Sequence, residues 1–227
     1  MRSGAIAMLD ILGWKGIWQR KAPDQVIAEL QDIETSVRHF WEQMEKNPKF
    51  VGHQRFKSVD LHVQTMSDTV FIHAEGSPHP TIELVAGLSG TAICTGVQHG
   101  LLIRGALSYG QFCRTDAIFV GPAVDEAASW YEQTEMIGVC LTPHAEMTVR
   151  RHSLSLDRLL RKATVQVKGA GAKEMLCVDW PRLLIEHKEA NHPEAYLMDA
   201  LQDVVMTPSI ALKADWGLRF AGEYKAN

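Results

Sequence analysis

The chain has 227 residues, of which 46% are hydrophobic and 22% charged, so it is long enough for one α/β domain or one domain with an appendage. A net charge of −4 and an isoelectric point near 6.2 argue against a dedicated nucleic-acid-binding protein. The four cysteines lack a CxxC spacing, and we interpret them as reduced core thiols. We find neither an apolar run of membrane-spanning length nor a signal-peptide layout, and we expect a cytoplasmic protein.

The first predicted element is a strand that begins at about Ala5 and ends at Asp10, followed by residues that can form a turn. A carboxylate at a strand end can hold a divalent cation, because hard cations prefer oxygen ligands. It can equally cap the turn. This segment alone leaves both interpretations open.

A long amphipathic helix is predicted next, over Pro23–Lys46, where apolar residues recur at three- and four-residue steps. Asn47 and Pro48 are expected to end it. Alternating residues over 57–73 then predict a β-hairpin with its turn at 66–68. Asp68 therefore lies at the hairpin tip, where it is a second candidate metal ligand.

The chain continues with a break at 77–80, a helix over 82–99, a strand over 101–111, a helix over 123–135 and a strand over 138–142. Gly105 and Gly110 mark bulges in the first of these strands, or places where something approaches its backbone closely. Arg104 in that strand can be a surface or salt-bridged arginine, or it can pair with a phosphate or a carboxylate. The order of elements predicts an α+β protein with an antiparallel sheet and helices packed on one face, of ferredoxin-like type.

Four short motifs in this order resemble those of the class III nucleotidyl cyclase homology domain. They are LDILG at 9–13, SDTV at 67–70, RGALSYG at 104–110 and GPAVDEA at 121–127. The resemblance covers about residues 5–135 and implies the class III cyclase fold. We expect a catalytic core over 1–145 and a strand and helix extension over 146–227 that packs on the same domain.

The resemblance implies that a nucleoside triphosphate is converted to its 3′,5′-cyclic monophosphate and pyrophosphate. It assigns metal binding to the side chains of Asp10 and Asp68 and the main-chain carbonyl of Ile11, with two Mn²⁺ or Mg²⁺ ions per site. Arg104 and Arg114 are the candidates for the catalytic cation, of which we select Arg104. The residues expected around the triphosphate are Leu12, Gly13, Trp14 and Lys15. The family also implies a homodimer with active sites at its interface.

The chain departs from the purine cyclases at four positions. Asp125 and Ser129 replace an Asn and an Arg that act on the ribose and the transition state, and Gln64 and Ile118 replace the residues that read a purine base. With these departures the chain resembles the stand-alone pyrimidine cyclases of bacterial Pycsar anti-phage defence, whose product activates a separate effector protein. We assign Gln64 to the base and favour UTP, then CTP.

Other functions stay open at this point. The chain can be an adenylate or guanylate cyclase, or a catalytically inactive domain that senses a nucleotide. It can also be a structural or partner-binding module.

Overall fold

The computed structural model describes residues 1–46, 53–115, 118–188, 192–202 and 204–223. The strands are β1 (Arg2–Leu12), β2 (Asp60–Met66), β3 (Thr69–Glu75), β4 (Leu102–Arg114), β5 (Phe119–Val120), β6 (Gly138–Leu141), β7 (Leu160–Val167) and β8 (Gly171–Val178). The helices are α1 (Pro23–Lys46), α2 (His53–Phe56), α3 (Pro78–Gln98), α4 (Pro122–Trp130), α5 (Pro143–Arg151), α6 (Trp180–Lys188), α7 (Pro193–Leu201) and α8 (Pro208–Gly222). A short 3₁₀ turn lies at Ile17–Gln19.

The strands form one sheet in the order β2-β3-β1-β4-β6-β8-β7, and β5 pairs with β4 outside this order. Strands β1 to β4 alternate with α1 and α3 in the ferredoxin-like manner, and they pair antiparallel. The predicted α+β, ferredoxin-like class is therefore confirmed. One pair differs from the antiparallel expectation, because β4 and β6 run parallel. A parallel neighbour requires a crossover, which α4 supplies here.

Helices flank both faces of the sheet rather than one. Alternate residues of β1 face opposite sides, so that Ala5, Ala7, Leu9 and Ile11 join the main core beneath α1 and α3. Ile6 and Met8 face the other way and pack with Phe112 and with Ala123 and Ala127 of α4. The expectation of helices on a single face was wrong, since α4 covers part of the second face.

Most predicted elements are present, with shifted ends. Helix α1 has its predicted bounds, while Asn47 and Pro48 lie outside the described residues. Helix α3 begins at Pro78 rather than at 82, because prolines fit the first helical turn, where no hydrogen-bonded amide is needed. Helix α4 ends at Trp130 rather than at 135, since Thr134 bridges to Val167 of β7.

Helix α3 is the one described helix that is long and apolar enough to cross a membrane by length and composition, but 83% of that stretch is buried inside the domain. We therefore interpret it as the core helix. Its predicted tight packing is present at Gly87, where a Cβ would come within 2.9 Å of the Phe40 ring.

Strand β1 continues two residues beyond Asp10, which differs from the predicted strand end. The pairing with β4 extends through Asp10↔Arg104 to Leu12↔Leu102, and it keeps the chain extended there. At Gly105 a Cβ would lie 2.4 Å from the carbonyl oxygen of Met8. The predicted close approach at this glycine is confirmed.

The C-terminal third extends the same sheet, since β8 pairs with β6 and β7 pairs with β8. The domain boundary near residue 145 stays a prediction. Three of the four cysteines are buried as expected, and Cys140 and Cys177 lie with their sulfurs 3.5 Å apart. Cys113 is exposed, which corrects its assignment to the core, because it lies near the end of β4 where only β5 pairs with it.

A buried ion pair attaches α8 to the segment that precedes β6. Lys213 is 3% exposed; its Nζ lies 2.6 Å from Glu135 Oε2 and donates to the hydroxyl and carbonyl of Ser209. We expect Lys213→Ala to lower the free energy of unfolding by about 3 kcal/mol, because it leaves the buried Glu135 with only the partly exposed Lys168, 3.7 Å away, as a charge partner. Denaturant unfolding would measure this.

The control for this prediction is Lys162→Ala, which removes an exposed pair with Glu174 and should cost less than about 1 kcal/mol. Equal losses from the two variants would contradict the prediction.

Candidate functional site

The candidate site is built around Asp10, on the face of the sheet that also carries Ile6 and Met8. The strand pairings place Thr69 of β3 and Arg104 of β4 directly beside it. Arg104 Nε donates to Asp10 Oδ2 at 2.9 Å, and the two side chains are only 9% and 14% exposed. Arg104 is thus the salt-bridged strand arginine that the sequence left as one of its alternatives, and its partner is the predicted metal ligand.

Two acidic side chains, Asp68 and Glu132, act on Asp10, and only one basic side chain, Arg104, opposes them. Burial raises the pKa of the Asp10 carboxyl; the hydrogen bond and charge of Arg104 oppose this rise, while the nearby charges of Asp68 and Glu132 add to it. A buried carboxylate with two acidic neighbours favours the presence of additional positive charge.

The hairpin tip brings Asp68 to the same end of β1. Ser67 takes a left-handed conformation with φ 58° to make the turn, and the Ile11 amide donates to the Asp68 carbonyl at 2.9 Å. The structure therefore places Asp10, Ile11 and Asp68 at the same end of β1, and their role as metal ligands stays a prediction.

Glu132 was missed by the sequence analysis. Its carbonyl oxygen accepts a hydrogen bond from Arg104 Nη1 at 3.3 Å, and its carboxylate accepts one from the Tyr131 hydroxyl at 3.2 Å. It lies just after α4 ends, in a stretch that the sequence pattern assigned to the helix. No periodicity in the sequence marks its proximity to Asp10.

The oxygen donors at this point fit a divalent cation. Two carboxylates and a nearby main-chain carbonyl are the ligands that Mg²⁺ and Mn²⁺ accept when substrate phosphates and water complete their shell. Among the described residues, no group of three or more His, Cys, Asp or Glu side chains is arranged as a complete metal site. A site of this kind depends on ligands from the substrate.

The turn after β1 is the predicted triphosphate cradle. Gly13 is left-handed, with φ 74°, and its carbonyl accepts from Arg20 Nη2 at 2.7 Å. Among the hydrogen bonds between described residues, none is donated by the amides of Gly13, Trp14 or Lys15, so these amides are available to an anion. Leu12 differs from the prediction, because it is paired with Leu102 inside the sheet.

A cavity of about 650 Å³ lies on the same face of the sheet. Its lining includes Gln64, the predicted base-binding residue, and both Ile118 and Arg114. Gln64 pairs with Phe71 of β3, and Phe71 pairs with Met8 of β1. Gln64 therefore lies level with Met8, which is two residues, or about 7 Å along the strand, from Asp10. The cavity thus adjoins the acidic pair.

The two arginines considered as catalytic cations are separated. Arg104 contacts Asp10 near the start of β4, whereas Arg114 ends β4, lines the cavity and lies 3.7 Å from Asp60. On α4, Asp125 and Ser129 are exposed, and the Ser129 hydroxyl donates to the Asp125 carbonyl. Within this chain the structure therefore brings Arg104, but not Arg114, to the acidic pair.

His73 is a second residue that the sequence analysis did not assign to the site. It lines the cavity and is 6% exposed. Its ring stacks on His62 at 4.9 Å and on Phe119 at 4.6 Å between centroids. Burial, aided by the charges of His62 and Arg114, lowers the pKa of His73 to about 4 against a small opposing effect of Asp60. The imidazole is therefore neutral at physiological pH.

Comparison with known proteins gives limited similarity. No family model matches the chain, and no curated protein matches it. Among solved structures, the catalytic core of a rhodopsin-guanylyl cyclase with converted specificity, in complex with ATPalphaS, has 14% identity and a TM-score of 0.43, covering 78% of this chain and 94% of that one. An adenylate/guanylate cyclase/hydrolase from Silicibacter pomeroyi has 14% identity and a TM-score of 0.40, with coverages of 78% and 95%. A bacterial light-regulated adenylyl cyclase has 12% identity and a TM-score of 0.44, with coverages of 78% and 51%. At these scores the similarities carry no argument about activity.

The buried, neutral His73 predicts a specific acid sensitivity. Because its pKa is about 4 in the fold against 6.5 for the ordinary group, the unfolded chain binds more protons between these values, and stability falls as the pH decreases through that window. The loss attributable to His73 is about 3 kcal/mol. Phenylalanine has no such titration, so His73→Phe should lose less stability between pH 6.5 and pH 4.

Denaturant unfolding of the two proteins across this pH range would measure the difference. The exposed His152→Phe serves as the control and should follow the wild-type curve. Parallel curves for wild type and His73→Phe would contradict the prediction.

Proposed function

We propose that this chain is a nucleotidyl cyclase, which converts a ribonucleoside triphosphate to its 3′,5′-cyclic monophosphate and pyrophosphate. The observation that supports it most directly is the convergence of Asp10 and Asp68 with the Ile11 main chain at one end of the central strands. A turn with available amide groups follows β1 directly. A cavity of about 650 Å³, large enough for a nucleobase, lies at the level of Met8, on the other side of the acidic pair from this turn. In this proposal the base, the metal ions and the triphosphate are bound in that order along one face of the sheet.

In this proposal Asp10 and Asp68 hold two Mn²⁺ or Mg²⁺ ions, with the carbonyl of Ile11 as a further ligand. Bound divalent ions lower the pKa of a coordinated hydroxyl and neutralise phosphate charge. Arg104 orients the Asp10 carboxylate through its 2.9 Å hydrogen bond and adds positive charge at the phosphates. The amides of the turn after β1, together with Lys15, hold the triphosphate.

The chemistry is an in-line displacement at phosphorus. The 3′-hydroxyl gives its proton to solvent water, and its oxygen forms a bond to the α-phosphorus while the bond from that phosphorus to the bridging oxygen breaks, so that pyrophosphate leaves with the electron pair. The substrate supplies its own nucleophile, so no protein nucleophile is required. The contribution of the chain is to position the hydroxyl and the triphosphate relative to each other.

A pyrimidine substrate, UTP before CTP, is the finer part of the proposal. Ile118 at the cavity supports a pyrimidine, because it has no polar group with which to read a purine. The Gln64 amide can donate or accept and so does not separate uracil from cytosine, and the order of UTP before CTP rests on the resemblance of the motifs. The resemblance of the motifs extends the proposal to a messenger made in the cytoplasm during anti-phage defence, which acts on a separate effector protein.

A homodimer is also proposed, with the cavity face at its interface. Three apolar side chains on or near the rim are largely exposed, namely Met66 at 62%, Ile118 at 57% and Val120 at 52%. Apolar exposure concentrated around a candidate site is typical of a surface that a partner covers. A second copy of the chain carries the same Asp125 and Ser129 on α4, so a transition-state cation supplied across this interface has to come from another element of the partner.

The direct test is to incubate the purified protein with each of the four ribonucleoside triphosphates and Mn²⁺ or Mg²⁺. We expect a 3′,5′-cyclic nucleotide and pyrophosphate, with UTP the best substrate. Asp68→Ala should lower kcat/KM by more than about a hundredfold, because it removes a metal ligand. Chromatography with mass spectrometry would identify and quantify the product.

Asp215→Ala is the matched control, since this exposed carboxylate on α8 pairs only with Arg219 among the described contacts. It should retain wild-type activity. A lack of product from every triphosphate would overturn the enzymatic proposal and favour a nucleotide sensor. Full activity in Asp68→Ala would overturn the metal assignment alone.

A further inference from the structure

The cavity beside Gln64 contains a buried imidazole that the mechanism above does not use. His73 is held on both faces of its ring, by His62 at 4.9 Å and by Phe119 at 4.6 Å, and Phe112 meets it edge-on at 5.8 Å. A ring enclosed in this way has little freedom to rotate. Only an edge of the imidazole is left to face the cavity that it lines.

The two ring nitrogens of His73 have different surroundings. Nδ1 is buried and has no hydrogen-bond partner among the described residues. Nε2 is not among the buried atoms that lack a partner, and within the described part of the chain no hydrogen bond to this ring is found. Nε2 is therefore the nitrogen at the wall of the cavity. Nε2 has no partner among the described residues, and a polar atom of so buried a ring requires a partner from outside the chain.

The ring carries one proton at physiological pH, since the pKa of His73 is about 4. Buried N–H groups that lack an acceptor are rarer in proteins than buried carbonyl acceptors that lack a donor. The proton therefore belongs on Nε2, and Nδ1 is the bare acceptor. In this tautomer His73 presents a neutral N–H donor to the cavity.

We infer that His73 determines base specificity, and that its Nε2–H donates a hydrogen bond to the C4 carbonyl of a uracil base, the position at which cytosine carries its amino group. The inference rests on the proposed function and deepens it, because it names the residue and the chemical group that select the substrate. His73 reads the base and takes no part in the transfer of the phosphoryl group.

The positions of the strands agree with this assignment. His73 pairs with Ile6, and Asp10 lies four residues further along the same strand, which is about 13 Å. That span accommodates a ribose and one pyrimidine ring between the metal ligands and the imidazole. Gln64 is diagonal to His73 across the β2–β3 pair, at a separation of about 7–8 Å, so that both side chains can reach one ring.

The hydrogen-bonding pattern of the base distinguishes uracil from cytosine at this donor. Uracil has a carbonyl, an N–H and a second carbonyl along one edge. Cytosine has an amino group in place of one carbonyl and a bare nitrogen in place of the N–H. A fixed N–H donor matches the uracil carbonyl and opposes the cytosine amino group, while the Gln64 amide can accept from the uracil N–H. A site that leaves polar groups unpaired against the wrong base discriminates strongly.

The test measures binding without turnover. Titration calorimetry with 3′-deoxy-UTP and 3′-deoxy-CTP in Mn²⁺ uses analogues that lack the attacking hydroxyl. We expect wild type to bind the uracil analogue about tenfold more tightly, which corresponds to one neutral hydrogen bond. In His73→Phe, which preserves the aromatic stack, the preference should fall to within about twofold, through weaker binding of the uracil analogue alone. His73→Gln supplies an amide donor and should restore part of the preference.

His62→Phe is the matched control in the same stack. His62 Nε2 already lies 2.9 Å from Asp60 Oδ1, so this variant should retain the wild-type preference. An unchanged preference in His73→Phe, or an equal loss for both analogues, would overturn the inference. A preference of wild type for the cytosine analogue would do the same. Discrimination that depends on His73 without any cyclic product would support the inference and overturn the proposed enzymatic activity, so the two failures are distinguishable.

Discussion

The ion pair between Asp10 and Arg104 fixes the geometry on which the candidate site depends. It joins directly paired residues of β1 and β4 and is almost fully buried. Charges this deep are retained only with good partners, because the loss of hydration must be offset. Arg104 is in turn held by the carbonyl of Glu132. The Asp10 carboxylate is therefore held against Arg104, close enough to Asp68 for the two acidic charges to act on each other.

The pleat of the sheet divides this chain into a structural side and a functional side. Residues of β1 that face α1 and α3 are small or aliphatic and form the main core. The alternate residues lead from Ile6 and Met8 to Asp10, and their neighbours across the strands are His73 and Phe71. A one-residue shift in register would exchange the two sets. The core on one face thus determines which side chains line the cavity on the other.

The sequence was sufficient to predict the β2–β3 hairpin, but not the residues that pack around it. A turn at Ser67 and Asp68 already implies that Gln64 pairs with Phe71 and His62 with His73, so the facing histidines could have been inferred from the register. The burial of His73 could not, because it depends on Phe119 of β5 folding back over the sheet. Glu132 was hidden for a similar reason, since α4 ends at Trp130 through contacts with β7 that are remote in sequence.

The C-terminal extension contacts two segments next to the candidate site, although none of its residues was assigned a catalytic role. Helix α8 places Ile210 beside Gly13 of the turn after β1, and its Lys213 contacts Glu135 and accepts a hydrogen bond from the Ile137 amide at its carbonyl. An apolar pair of similar volume would often stabilise a protein equally well. We therefore interpret the Lys213–Glu135 pair as a device that fixes position. It fixes the segment between α4 and β6, which contains Glu132 and through it contacts Arg104, relative to the helix that also packs against the turn after β1.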